Sequence, residues 1–520
     1  MMNRIAVNTS ASVAFRLFSV VLNLVLVPVL IGAVGADGFG LILLAQALMG
    51  YLSLFNGGVP MGTVKYVAEY EARGDRGTVD KVVASSLSFS LGAGAAVALG
   101  VVLFTRLGGL GVFDLRPENV GPATSVLYIG AALALVSWPL ATFGQVLEGL
   151  QRYPENKLAL GVGDLVSKLS AIVGATVGLP IEGIFLLLNL GAVIAAPAQV
   201  WAVRRALVGW TLRARDFSLA NVRMILSYSV WALLDQLAGK LIYQTDRIIL
   251  GLYLPIEAIT IYHVITTPFL AVADVAATVR SALTPAVSSA YARSGLGGLN
   301  TFVYTLSRYS NALVAVIAVA GLYVAGPFIQ LWVGEGYEPY LWIAQLACAS
   351  QVLIQSNSVL ANVYFGSGHI KRITVVILSL AVLNVPLGVW WTQVFGVGGV
   401  IFATMFIAAV EIPLQYAFVM SQFGIEYRRY FLDSVVRAQL PAVLVGLAAV
   451  PAWGLIQDVA GWLALVATAA ALVVAAAAAS WALTVRDEDK VWALNKLRYR
   501  PPPLGGGPDR PPGSRLGGRE

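Results

Sequence analysis

With 520 residues, 58% of them hydrophobic and only 12% charged, this chain has too little polar surface for a soluble globular protein, where about a quarter of residues are charged. Its net charge of +7 sits between apolar blocks, which points to anionic lipid headgroups along a membrane face rather than to nucleic acid. A single cysteine, Cys348, excludes disulfides and multi-cysteine metal sites, and two histidines give no recognisable zinc cluster.

From the N-terminus, apolar blocks about twenty residues long, enough to cross a bilayer core, recur near 13–34, 38–60, 82–104, 122–147, 158–178, 181–203 and 224–250. They continue near 258–279, 305–329, 341–365, 373–393, 397–420, 438–457 and 461–485. Inside hydrocarbon each backbone polar group must be satisfied within its own segment, so these fourteen blocks predict helices. The first carries a signal-like A-V-G at 33–35, but it is long and interrupted by Arg16, which predicts a retained anchor. Lysine and arginine accumulate in cytoplasmic loops. Here 28 of the 34 fall in the terminal segments, the even-numbered loops or, for Arg308, the adjoining span end, whereas the odd-numbered loops hold only Arg106 and Arg116. Both termini and the basic stretch 204–223 are therefore expected on the cytoplasmic side, with 105–121 outside.

The chain also repeats itself weakly. G-A-D-G around Asp37 answers P-I-E-A around Glu257 at an offset of 220, and Y-E-A-R-G at 70–74 answers Y-A-R-S-G at 291–295 at 221. E-G at 148–149 answers S-G at 367–368 at 219, and P-A-Q at 197–199 answers P-L-Q at 413–415 at 216. Four ordered matches at nearly constant offset predict two six-span halves of parallel orientation, with substrate between them. The expected division is an N-lobe over 1–210, a cytoplasmic linker over 211–222 and a C-lobe over 223–421. Two further spans follow within 436–486, then a cytoplasmic tail over 487–520 whose end is too rich in proline and glycine to fold. The expected fold class is thus an all-α polytopic membrane protein: two pseudo-symmetric six-helix lobes plus two extra C-terminal helices.

Three motifs carry a family resemblance: N-x-S-x-x-x-x-x-R-L from Asn8 to Leu17, P-V-L-I-G-x-x-G-A-D-G-F-G at 28–40, and V-A-E-Y-E-A-R-G-D at 67–75. Over roughly residues 8–420 the chain resembles the multidrug/oligosaccharidyl-lipid/polysaccharide exporter superfamily, on its polysaccharide-transporter, or oligosaccharide flippase, branch. The resemblance implies a V-shaped pair of lobes in the bacterial cytoplasmic membrane that moves undecaprenyl-diphosphate-linked oligosaccharide outward for polysaccharide biosynthesis. It implies no cofactor. Its implied partners are the lipid-linked substrate, membrane lipids, a polysaccharide polymerase and glycosyltransferases. The added C-terminal pair resembles the fourteen-span lipid II flippases.

A charge at mid-bilayer costs roughly 2.5–3.5 kcal/mol on insertion scales, so charged residues within spans are functional candidates. At 100° per residue, Ser12, Arg16, Ser19 and Asn23 share one face of span one. Gln236, Lys240, Tyr243 and Arg247 form a similar stripe on span seven, the first span of the second half, with Asp235 beside it. Span eight adds His263, Thr267 and Asp274, and span ten adds Gln351, Gln355, Ser358 and Asn362. Such stripes predict a hydrophilic cavity. Arg16 and Lys240 suit an anionic headgroup, a diphosphate above all, because guanidinium grips phosphate through two hydrogen bonds and ammonium acts as a point charge. The amides suit sugar hydroxyls. The plainer alternative is internal pairing, of Lys240 with Asp235 or Asp274, and of Asp164 with Lys168 one helical turn on. Asp246 and Arg247 near the outer end have the option of snorkelling.

No lysine is followed by Ser or Thr, so there is no Walker A loop, and no serine sits in G-x-S-x-G. Catalytic and metal-ligating residues are not expected. A cation-coupled multidrug exporter on the sister branch is the alternative function. A membrane glycosyltransferase or ligase fits less well, because the longest outer loop, near 105–121, has only about seventeen residues.

Overall fold

The computed structural model describes residues 2–207, 216–357, 359 and 370–490, apart from the side chains of 2–18, 20, 228–232, 235, 243, 275–302, 357, 370–373, 415 and 418–423. All the described regular structure is helical. The first half contributes α1 (Met2–Leu52), α2 (Val59–Ala72), α3 (Arg76–Arg106), α4 (Pro117–Gly149), α5 (Tyr153–Thr176), α6 (Ile181–Asn189) and α7 (Gly191–Ala206). The second contributes α8 (Leu219–Tyr243), α9 (Thr245–Tyr253), α10 (Glu257–Val333), α11 (Leu341–Ile354), α12 (Ile370–Phe395) and α13 (Gly398–Phe423). The last apolar stretches are α14 (Tyr427–Gln457) and α15 (Trp462–Leu483).

Among the described residues nine helical stretches are long and apolar enough to cross a membrane; of the fourteen expected spans, seven, eight, ten and twelve are only partly described. Expected spans one and two merge in α1, which turns at Gly35 with φ 72, a left-handed conformation open mainly to glycine. Span seven is broken at Gln244 between α8 and α9. Span twelve holds only the shorter apolar segment Gly398–Leu414 among described residues. The 77-residue α10 hides two spans in one. Straight, it would extend about 115 Å. Yet near its start Thr260 Oγ1 donates to the Ala36 carbonyl (2.7 Å), and near its end Trp332 Nε1 donates to the Leu24 carbonyl (2.6 Å). Those carbonyls lie only about 18 Å apart along α1, so α10 doubles back, as spans eight and nine require.

Within the first half α4 packs on α3 and α7, and α5 on α1 and α7; within the second α10 packs on α11, α14 and α15, and α12 on α13 and α8. The halves meet where α1 touches α9 and α10 and where α8 touches α2 and α3. The largest apolar cluster spans both, joining Leu30, Phe39, Ile42 and Phe185 to Ile259, Ile265, Ile329 and Val400. A second cluster joins Val67, Val79, Val146, Leu147 and Val203 to Ile225. Outside, Leu99, Val173, Leu447, Leu463 and Val474 are exposed on helix faces. In water such a surface aggregates; in a bilayer it faces chains as apolar as itself.

The basic loop expected after span two is mostly helix α2, and a short turn at 73–75 leads into α3. There Asp75 caps α3, its carboxylate accepting from the Thr78 hydroxyl (2.6 Å) and backbone N–H (3.0 Å). Both bonds favour the ionised form and hold its carboxyl below the usual range.

Candidate functional site

Ser19 and Tyr51 lie sixteen residues on either side of the turn at Gly35, so both sit about 24 Å below it along their helices. Each marks a polar group at that depth. On the Ser19 side, Ser19 Oγ donates to Asp164 Oδ2 (2.7 Å), while Lys168 Nζ donates to Ser19 Oγ (2.7 Å) and to Asp164 Oδ2 (2.9 Å). The acid-first spacing on α5 puts Asp164 and Lys168 one turn apart, and α1 packs on α5, which delivers Ser19 between them. Asn23, one turn further along α1, is exposed. Arg16 lies one turn before Ser19 on the same face of α1; its side chain lies outside the described residues. The lysine is the more buried partner, 16% exposed against 43% for the aspartate.

On the Tyr51 side, the Tyr51 hydroxyl donates to the Lys240 carbonyl (2.9 Å) and shares a hydrogen bond with the Thr245 hydroxyl. Gln236 Nε2 donates to the Gly57 carbonyl (3.2 Å). Two residues of the span-seven stripe are thereby fastened to the first half, and Lys240 is half-buried beside the break at Gln244. A lone tyrosine in an apolar span has no period to mark it, and Tyr51 forms no part of any polar stripe. The side chains of Asp235 and Tyr243, and all of Asn362, lie outside the described residues.

Towards the Gly35 end, Asp246 is buried and accepts from the Tyr262 hydroxyl (2.6 Å), so this acid does not snorkel. Arg247 Nε and His263 Nδ1 have no hydrogen-bond partner among the described residues. The His263 ring meets Phe39 edge-on across the two halves, with centroids 5.6 Å apart. Beside it Gly40 lies so close to the Ile256 carbonyl that a Cβ would stand 2.4 Å from its oxygen. Arg116 closes this end: its guanidinium reaches Asp37 at 2.8 Å and Glu257 at 3.6 Å. Asp37 and Glu257 are the two acids matched by the sequence repeat, one from each half. The Asp114 amide also donates to the Gly251 carbonyl (3.2 Å).

Asp274 is exposed on α10. Gln351 and Gln355 are both buried, Gln355 Nε2 donating to Gln351 Oε1 (2.9 Å), and Gln439 from α14 ties down the Val352 carbonyl next to them (2.6 Å). In this conformation the described part of the span-ten stripe, Gln351 and Gln355, is packed within the second half.

Comparison with known proteins follows from this geometry. Residues 5–291 match the family described as "Polysaccharide biosynthesis protein". An "Uncharacterized membrane protein EpsK" of Bacillus subtilis (strain 168) is 22% identical over 505 residues, 95% of this chain and 98% of that protein. Among solved structures, "Lipid II flippase MurJ, inward closed conformation" superposes with a TM-score of 0.66 at 12% identity, over 92% of this chain and all of that one. An inward-facing multidrug resistance transporter of the MATE family superposes with a TM-score of 0.63 at 16% identity, over 78% of this chain and 94% of that one. At these identities the structural likeness shows the fold alone, which this chain shares with both of those proteins. The family match covers more than half of the sequence, and this chain belongs to the polysaccharide biosynthesis protein family.

Proposed function

We propose that this chain is a flippase that carries a lipid-diphosphate-linked oligosaccharide from the cytoplasmic to the outer leaflet by alternating access between two six-span lobes. The observation that carries this reading is the pair of polar levels at equal depth, Ser19–Asp164–Lys168 in one half and Lys240 in the other, beneath an outer end where the halves are clasped together. Charges persist at that depth only if they are paired or meet a charged ligand. Asp164 is matched by Lys168, and Arg16 and Lys240, as the cations of the two stripes, would favour an anionic headgroup over a cationic drug. With the clasped end outward and both termini cytoplasmic, the halves are also joined on the cytoplasmic side, where α8 touches α2 and α3 and Ile225 packs with Val67 and Val79. A polymerase and glycosyltransferases are the reactions expected to consume and supply such a substrate.

Closure of the outer end rests on its apolar contacts rather than its ion pairs. Wetting a fully buried Phe or Ile costs about 1.5–3 kcal/mol each, whereas a solvent-exposed pair such as Arg116 with Asp37 contributes about 0–1 kcal/mol. Bulky glycan binding below must therefore supply several kcal/mol of differential affinity to open it.

Lys240→Glu tests the reading. Lipid-linked glycan precursor is expected to accumulate on the inner leaflet, while deletion of the gene leaves resistance to cationic dyes unchanged. Sensitisation to such dyes on deletion, with glycan export continuing, would overturn the flippase in favour of the drug exporter.

A further inference from the structure

A cavity of about 600 Å³ lies away from the interface of the halves, between the start of α5 and the end of α7. Ala159, Val162, Ala195 and Ala198 form its floor, and Trp201, 61% exposed, forms a wall. Arg152, Glu155 and Arg205 stand at its mouth. The two helices touch where Gly163 meets Gly191, so closely that a Cβ on Gly163 would stand 2.2 Å from the Gly191 carbonyl oxygen. Small side chains beyond that contact leave the groove open as the helices run to their basic ends. Behind it, Gln199 Nε2 donates to Asn156 Oδ1 (2.7 Å) and Asn156 Nδ2 to Glu148 Oε1 (2.9 Å), a buried chain that holds its shape.

We propose that this groove binds an anionic phospholipid of the cytoplasmic leaflet, one acyl chain along the alanine floor and the phosphate at Arg205 and Arg152. Three features select that occupant. The main packing partners of α5 and α7 are α1, α4 and α6 of the same half, so the groove faces the bilayer and not the space between halves. An apolar groove open to hydrocarbon is filled by an acyl chain, and a tryptophan at its rim sits at headgroup depth. The acids nearby are already engaged, Glu155 with Arg152 at 3.3 Å and Glu148 with Lys157 at 3.0 Å. Arg205 has no acidic partner among the described residues; its guanidinium lies over the Trp201 ring at 5.4 Å. That leaves its fork free for a phosphate.

The same face would serve the polyprenyl carrier of the substrate only if the groove opened towards the interface, and the test separates the two lipids. The purified full-length chain in detergent is titrated with phosphatidylglycerol and with phosphatidylcholine of the same chains, followed by native mass spectrometry and by thermal stability. One phosphatidylglycerol is expected to bind more tightly than phosphatidylcholine and to raise the melting temperature. Arg205→Gln, on an exposed side chain, is expected to weaken phosphatidylglycerol about fivefold, the effect of one interfacial cation. Ala198→Phe is expected to abolish binding by filling the floor, with Trp201→Ala as the second variant should the bulky ring prevent folding. Equal affinity for both phospholipids, or wild-type binding by Arg205→Gln together with the groove variants, overturns the proposal. So does displacement of phosphatidylglycerol by undecaprenyl phosphate at lower concentration, which would give the groove to the substrate.

Discussion

The Gly35 end and the level about 24 Å from it along α1 solve opposite problems. At the Gly35 end the halves are held to each other by close backbone approach at Gly40, by Phe39 against His263, and by Arg116 between two acids. At the lower level the Ser19–Asp164–Lys168 cluster is satisfied within one half. Contacts of the first kind are individually weak and replaceable by water, so they can part and re-form. A charge pair of the second kind cannot be broken cheaply, because the remaining partner stays desolvated. Motion is therefore expected where the halves meet through such contacts, at Tyr51–Lys240 and Gln236–Gly57 as well as at the Gly35 end, and rigidity where a charge pair lies within one half.

The largest effect is expected at the rigid level. Asp164→Ala removes the carboxylate partner of Lys168; with Asp164 43% exposed, the cost should fall between the about 0–1 kcal/mol of an exposed pair and the about 3–5 kcal/mol of a buried one, seen as a loss of folded protein in a detergent thermal scan. Asp164→Asn with Lys168→Met should recover the fold without recovering export. Unchanged stability of the single variant would mean that the pair is not desolvated in the bilayer.

Next comes the seal. Gly40→Val places side-chain atoms where the Ile256 carbonyl now lies, and the outer end cannot close as it does here. In a protein with Cys348 replaced, a cysteine at Thr260 should become labelled by an impermeant reagent from outside at least tenfold faster in the Gly40→Val background. Equal labelling would show that closure does not depend on this approach. Arg116→Ala probes the same end with a smaller effect, at most about 1 kcal/mol, or up to about fivefold in labelling rate. That effect should shrink in high salt, because exposed pairs are screened.

The smallest effect is at the Asp75 cap. Asp75→Ala should speed amide exchange in the first turn of α3, without affecting export. Because the folded carboxyl is held below its ordinary range, the cap is present above that range. It is lost as pH falls through the depressed value, so the wild-type turn should come to exchange like the variant only in acid.

Much of this was legible in the sequence. Apolar length fixes spans because hydrocarbon offers backbone groups no partner, and the Asp37–Glu257 repeat already paired the acids that Arg116 bridges. Acid-first spacing predicted the Asp164–Lys168 pair. The stripes on spans one, seven and ten were equally legible, but not their partners. Periodicity says which residues share a helix face; it does not say what that face meets.

What the sequence alone determined is the all-helical, many-span architecture, since it follows from local composition against a uniform solvent. Only the tertiary structure decided that α10 doubles back, that Ser19 completes the Asp164–Lys168 pair, and that Tyr51 holds the break in span seven. Those are contacts between residues 149 to 308 positions apart, set by which helices pack together. In a bilayer that choice rests on shape and hydrogen bonding between apolar surfaces of nearly equal hydrophobicity, which a linear pattern of polar and apolar residues does not encode.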